Sequence, residues 1–164
     1  MRTKETLAFV FLLFILPSFS SLAQNSGFSG EWKLNTEKTV LADNQLFLSG
    51  IKVMQKNDSL LITRTYQNSN GDEYPFDENL SLDGKESKIT IYDMPRTSKA
   101  TKSADDGSII IESTTTFSGQ NGEENLVSKE SWNVDSEGKL LTIGFTNKMS
   151  SGTVTGTNYY NRVK

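Results

Sequence analysis

The residue types that catalysis usually requires are sparse in this 164-residue chain. It contains no histidine and no cysteine, which removes the Ser-His and Cys-His nucleophile pairs and the commonest zinc ligands. Adjacent carboxylates occur in three turn-like segments: Asp72-Glu73, Asp105-Asp106 and Glu123-Glu124. Acidic residues in turns mostly accept backbone hydrogen bonds. We therefore expect no enzyme, no metal site and no cofactor.

Arg64 is the charged residue with the clearest chemical potential. It lies between Ile62 and Tyr66 on one face of a predicted strand. A buried arginine needs an acidic partner or an anionic ligand. Arg64 could therefore anchor a ligand carboxylate, or Glu130 on another predicted strand could neutralise it. A third alternative is that the opposite face, which includes Leu61, points inward and leaves Arg64 in solvent.

The elements that must position Arg64 are strands. From Leu46 onward, short β-rich runs alternate with turns such as Asp83-Gly84-Lys85 at intervals of about ten residues. Several runs alternate apolar and polar residues, as antiparallel strands around one core do. We expect an all-β domain, a single antiparallel up-and-down β-barrel of about 8–10 strands. Pro75 places its strand at an edge or a distorted start.

The interior of such a barrel is either filled by side chains or leaves room for a small ligand. The sequence leaves both alternatives open. The candidate ligand-binding residues share the apolar alternation faces or, for the last of them, lie in the final strand: Ile62, Arg64, Tyr66, Ile91, Ile111, Phe117, Trp132, Ile143, Phe145 and Tyr160.

The first 23 residues have the layout of a secretory signal. Arg2 and Lys4 precede the apolar run 7–16, Pro17 ends that run, and small residues precede a cleavage position before Gln24. The run is about half of the roughly 20 residues that a membrane span needs. We predict a signal peptide over 1–23, a domain over 24–164, and export to the periplasm, the cell surface or the medium. An uncleaved anchor is the alternative.

The net charge of −3 argues against a nucleic-acid partner, which requires a basic face. We expect a monomer whose mature form has no transmembrane span.

The segment Phe28–Leu34 (FSGEWKL) resembles the Gly-x-Trp opening of the calycins, the superfamily of lipocalins and fatty-acid-binding proteins. It is also similar to the opening of exported bacterial lipocalin-like domains. The resemblance implies that Gly30 admits the chain to the barrel base and that Trp32 closes it. It further implies that a basic residue near the end of the last strand, here Arg162, packs over Trp32 as a structural clasp.

Two departures limit the resemblance. Residues 36–45 are too few for the helical pair of fatty-acid-binding proteins, and Tyr160-x-Arg162 reverses their Arg-x-Tyr carboxylate anchor. The expected function is binding of a small hydrophobic or amphipathic ligand in the barrel of an exported protein. The alternative is a filled barrel that acts as a cell-envelope interaction module, with the polar segment 96–104 as an exposed recognition edge.

Overall fold

The computed structural model describes residues 27–40, 46–119 and 122–163. The predicted signal peptide, its cleavage position and the start of the predicted domain lie outside the described residues. No described helix is long and apolar enough to cross a membrane.

The described residues form ten strands. They are β1 (Gly30–Leu34), β2 (Phe47–Lys56), β3 (Ser59–Gln67), β4 (Glu73–Ser81), β5 (Ser87–Ile91), β6 (Met94–Lys102), β7 (Ile109–Gly119), β8 (Gly122–Val134), β9 (Leu140–Met149) and β10 (Gly152–Arg162). This confirms the all-β prediction.

All ten strands belong to one antiparallel sheet in the order β4-β3-β2-β1-β10-β9-β8-β7-β6-β5. Neighbours in sequence are neighbours in space, and β1 pairs with β10, so the meander curls into a nearly closed barrel. The two edges, β4 and β5, share no ladder. The edge position of β4 accommodates Pro75, which has no backbone N–H to donate.

Side chains bridge the interval between the two edges. The Tyr92 hydroxyl donates to the Pro75 carbonyl oxygen at 2.9 Å, and Tyr74 meets Tyr92 edge-to-face with ring centroids 6.2 Å apart. Further toward the base, the contact is made by the backbone, since Asp83 forms an isolated antiparallel bridge with Thr101 of β6. These contacts hold β4 beside β5 and β6 without a backbone ladder.

The proposed recognition edge at 96–104 is wrong. β6 pairs with β7 over Arg96–Lys102 and with β5 over Met94–Ser98, and Thr101 forms an isolated bridge with Asp83. Its inward residues Arg96, Ser98 and Ala100 are buried. The segment is polar because it contributes to a polar part of the interior, and only its alternate side chains face outward.

The apolar core fills the end of the barrel where the chain enters and leaves. Fully buried side chains there include Leu60, Ile62, Leu80, Ile109 and Leu141. Alternation explains their placement, since each faces inward from its strand while its neighbours face outward. We call this end the base.

The clasp predicted at the base is present. Trp32 is buried and stands opposite Arg162 in the β1–β10 ladder, with the guanidinium carbon 4.1 Å from the indole ring centroid. Arg162 also donates to the carbonyl oxygens of Ser29, Gly138 and Gly27, the last at 2.7 Å. The cation–π contact and the three hydrogen bonds hold the end of β10 beside the start of β1.

Gly30 is required by this clasp for two reasons. Its φ of 141° lies in a region that L side chains rarely adopt, and a Cβ there would overlap Nη1 of Arg162. The Gly-x-Trp pattern therefore reports on how the base is closed.

Candidate functional site

The middle of the barrel contains a buried cluster of two arginines and two glutamates: Arg64 on β3, Glu78 on β4, Arg96 on β6 and Glu130 on β8. We call these four residues the ion cluster. Its members come from four strands that enclose one section of the interior, immediately above the apolar base. Its formal charge is zero, because each arginine is balanced by one glutamate.

Arg64 lies at the centre of the ion cluster and is fully buried. Its Nε donates to Glu78 Oε2 at 3.0 Å, and its Nη1 and Nη2 donate to the two Glu130 oxygens at 3.0 and 2.9 Å. Leu61 on the other face is exposed, so the alternative with Arg64 in solvent is wrong. Every side-chain nitrogen of Arg64 is bonded to a protein carboxylate, which favours the alternative that Glu130 neutralises it.

Glu130 is further fixed by an indole. The Trp132 Nε1 donates to Glu130 Oε2 at 2.7 Å, and the Arg64 guanidinium carbon lies 5.2 Å from the Trp132 ring centroid. The bidentate pairing with Arg64 has the strong, planar geometry that arginine and carboxylate prefer.

Glu78 links the two arginines. Its Oε1 accepts from Arg96 Nε at 2.7 Å and from the Ser98 hydroxyl at 2.7 Å, while its Oε2 accepts from Arg64. Burial by itself raises the pKa of the Glu78 carboxyl, but the charges of Arg64 and Arg96 outweigh burial and lower that pKa to about 2. Burial opposes protonation of Arg64, but Glu130 and Glu78 outweigh it and raise the Arg64 pKa. Arg64 and Glu78 are therefore both charged at neutral pH.

Beyond the ion cluster, at the end opposite Trp32, the inward side chains become apolar and only partly buried. Five of them form what we call the open-end cluster: Tyr66, Phe76, Phe117, Leu126 and Phe145. Tyr66 and Phe76 stack with ring centroids 6.1 Å apart and an angle of 9° between their planes. The Arg96 guanidinium lies 5.8 Å from the Phe76 ring centroid, so the aromatic layer rests directly on the ion cluster.

The inner face of β10 is exposed to solvent beside Phe145. Its ladder partner on β10 is Gly156, where a Cβ would come within 2.7 Å of the Phe145 ring. Gly156 and Val154 of β10 are both exposed, Val154 at 56%. The ring of Phe145 thus occupies the space that a side chain on β10 would take, and the inner face of this strand remains open to solvent at its first half.

The predicted binding residues all point into the barrel, but they fall into separate layers. Those buried in the core or the ion cluster are Ile62, Arg64, Ile111, Trp132, Ile143 and Tyr160; those partly exposed at the open end are Tyr66, Phe117 and Phe145. Ile91 is also buried, but it stands opposite Met94 on β6, beyond Arg96 on the side of the open end. Tyr160 is fixed by donating to the Leu48 carbonyl oxygen at 3.2 Å. A ligand that enters from the open end therefore meets the second group first.

Sequence reasoning missed Glu78, Arg96 and Phe76. All three lie on the strands that form or adjoin the sheet edges, where apolar alternation is weak. The available signal was the even spacing that places residues of a strand on the same face. Glu78 is two residues from Leu80 on β4, and Arg96 is four residues from Ala100 on β6.

A groove of about 470 Å³ lies along the outer face of β6–β9, and the inward residues Ser98, Ser113 and Ser128 are also among its lining. Outward residues line most of it, among them Lys99, Glu112 and Lys129, which form an ion-pair ladder across three strands. Exposed pairs of this kind contribute little stability.

No protein-family model matches the chain, and no curated protein matches it either. Among solved structures, the chain is similar to zebrafish ileal bile acid-binding protein, crystallised with cholic acid. The TM-score is 0.48 and the sequence identity 14%, and the alignment covers 84% of this chain and 100% of that chain. A likeness of this size carries no argument about what this chain binds. The ten-stranded, nearly closed antiparallel barrel is itself consistent with the calycin resemblance of the sequence.

Proposed function

We propose that this protein binds a small hydrophobic or amphipathic molecule at the open end of its barrel. The observation that carries the proposal is the layering of the interior. The base is filled with apolar side chains and the middle is occupied by a neutral ion cluster. The last layer consists of partly exposed aromatic and aliphatic side chains that face one another across the barrel mouth.

Partly exposed aromatic rings lose water contact when an apolar molecule covers them, which favours binding by about 25 cal/mol per Å² of apolar surface buried. Tyr66, Phe76 and Phe145 provide flat surfaces for such contact. The solvent-exposed inner face of β10 around Gly156 gives the ligand a route of entry. The ion cluster beneath forms the floor of the site, so the ligand occupies the mouth and not the full length of the barrel.

The role is a binding role and not a catalytic one, and the protein acts after export. The charged side chains of the interior are hydrogen-bonded to one another, which supports a binding role. Export is supported by the layout of residues 1–23. N-terminal sequencing of protein recovered from its own host tests export, with Gln24 as the expected first residue.

Fluorescence titration with the neutral probe N-phenyl-1-naphthylamine tests binding. We expect saturable binding of one probe per chain. Leu126 and Val127 are adjacent on β8 and face opposite sides, the first inward and partly buried, the second outward. Leu126→Asp should weaken probe binding at least about 10-fold, since a charge in the apolar layer must be desolvated. Val127→Asp is the matched control and should leave it unchanged.

Absence of saturable binding, or equal effects of the two variants, would contradict the proposal. That result would favour the filled barrel that acts through its outer surface.

A further inference from the structure

The charge balance of the interior, together with two unpartnered polar atoms, indicates what kind of polar group the ligand carries. We propose that the polar end of the ligand is an uncharged hydrogen-bond acceptor, a hydroxyl or carbonyl oxygen, bound by Arg96 Nη2 and the Tyr66 hydroxyl. The inference rests on the proposed function and adds the chemical class of the ligand.

Arg96 provides the first contact. Its Nε donates to Glu78 and its Nη1 donates to the Thr115 hydroxyl at 3.0 Å, whereas Nη2 has no partner among the described residues. The side chain is only 9% exposed. Because no fully buried side-chain polar atom of the described residues lacks a partner, Nη2 must reach solvent. It therefore offers a donor in a nearly buried setting.

Tyr66 provides the second contact. Its ring stacks on Phe76, the same ring over which the Arg96 guanidinium lies. Its hydroxyl has no hydrogen-bond partner among the described residues and is likewise not fully buried. Arg96 and Tyr66 thus both contact the Phe76 ring, which places them at the boundary between the ion cluster and the open-end cluster.

The charges of the ion cluster decide against a carboxylate. Two guanidinium groups are already matched by Glu78 and Glu130. An incoming carboxylate would add a third negative charge next to both glutamates, with no cation to balance it. Desolvation of an unpaired charge is unfavourable, whereas a neutral oxygen accepts a hydrogen bond from Arg96 without changing the balance.

Competition between two ligands of equal chain length tests the inference. Dodecan-1-ol and dodecanoate should be titrated at pH 8 against protein loaded with N-phenyl-1-naphthylamine. We expect dodecan-1-ol to displace the probe with at least about 10-fold higher affinity than dodecanoate. The alcohol gains a hydrogen bond from Arg96, whereas the carboxylate brings a charge that no cation balances.

Two variants assign the contacts. Arg96→Gln should weaken dodecan-1-ol about 10-fold and Tyr66→Phe, which keeps the ring, about 3-fold, each measured relative to the affinity of the same variant for the probe. Lys88→Gln, which removes an exposed charge on the neighbouring strand, is the control. Tyr66→Phe keeps the assignment testable if Arg96→Gln does not fold.

Equal or tighter binding of dodecanoate overturns the inference and leaves the proposed function intact. Preference for dodecan-1-ol with no effect of Tyr66→Phe overturns the assignment of the contacts. Failure of the probe to bind at all overturns both proposals.

Discussion

Removal of the Arg64 guanidinium should destabilise the fold far more than loss of any exposed charge. Arg64→Met keeps much of the side-chain volume but leaves Glu130 buried with only the Trp132 indole as a partner, while Glu78 keeps Arg96 and Ser98. Loss of one partner of a buried ion pair costs about 3–5 kcal/mol, because the remaining charge is desolvated without compensation. We expect a loss of this size in the free energy of unfolding at pH 7, measured by urea denaturation with the m-value compared.

A second substitution identifies the origin of the loss. Glu130→Gln in the Arg64→Met background removes the uncompensated charge and should restore about 2 kcal/mol, so the two changes should be strongly non-additive. The exposed Lys52–Glu31 pair is the control, with both side chains more than half exposed. Lys52→Met should cost less than about 1 kcal/mol.

A cost below about 1 kcal/mol for Arg64→Met, or additive effects of the two changes, would contradict the buried ion cluster. It would mean that water reaches Arg64 in solution.

Three further predictions concern acid stability and the base. The pKa of Glu78 is lowered in the folded state to about 2 from the ordinary 4.5. Its contribution of about 3 kcal/mol to the free energy of unfolding is therefore complete above pH 5 and lost as the pH falls toward 2. Urea unfolding between pH 7 and pH 2 should show this loss of stability, and Glu78→Gln should make the stability less dependent on pH. Trp32→Ala should cost about 3–5 kcal/mol by urea denaturation, because the indole is almost fully buried at the base, and a near-neutral result would mean that the base closes without it. Gly30→Ala should lower the melting temperature more than Gly152→Ala, since both glycines have φ near 140° but only a Cβ at Gly30 meets Arg162; equal effects would show that the overlap has no importance.

The barrel could be predicted because the alternation of apolar and polar residues in β7 to β9 is a local signal. The clasp joins Trp32 to Arg162, which lies at the other end of the chain, and it was predicted from the calycin resemblance. The sequence left the orientation of Arg64 open, and the structure places Arg64 on the inward face of β3 together with Ile62. On the same inward face of β3, Ile62 is fully buried at the base and Tyr66 is partly exposed at the open end.

The composition of the site could not be predicted to the same extent, because it depends on register between strands far apart in sequence. Glu78 is 14 residues from Arg64 and Glu130 is 66 residues from it. Only the folded barrel brings them together with Arg96. The polar character of β6 suggested a recognition edge, whereas half of that polarity faces the ion cluster. The layered interior that results favours binding at the mouth over binding along the whole interior. The alternation of apolar and polar residues alone does not distinguish these two possibilities.

The proposed ligand site lies at the open end, above the ion cluster. Amide chemical-shift mapping by two-dimensional ¹H–¹⁵N NMR during titration with N-phenyl-1-naphthylamine tests this placement most directly. We predict saturable shifts at Tyr66, Phe117 and Phe145, with Trp32 and Leu80 at the base unaffected. Shifts confined to the outer face, at Lys99 or Lys129, or no saturable shifts at all, would contradict this placement.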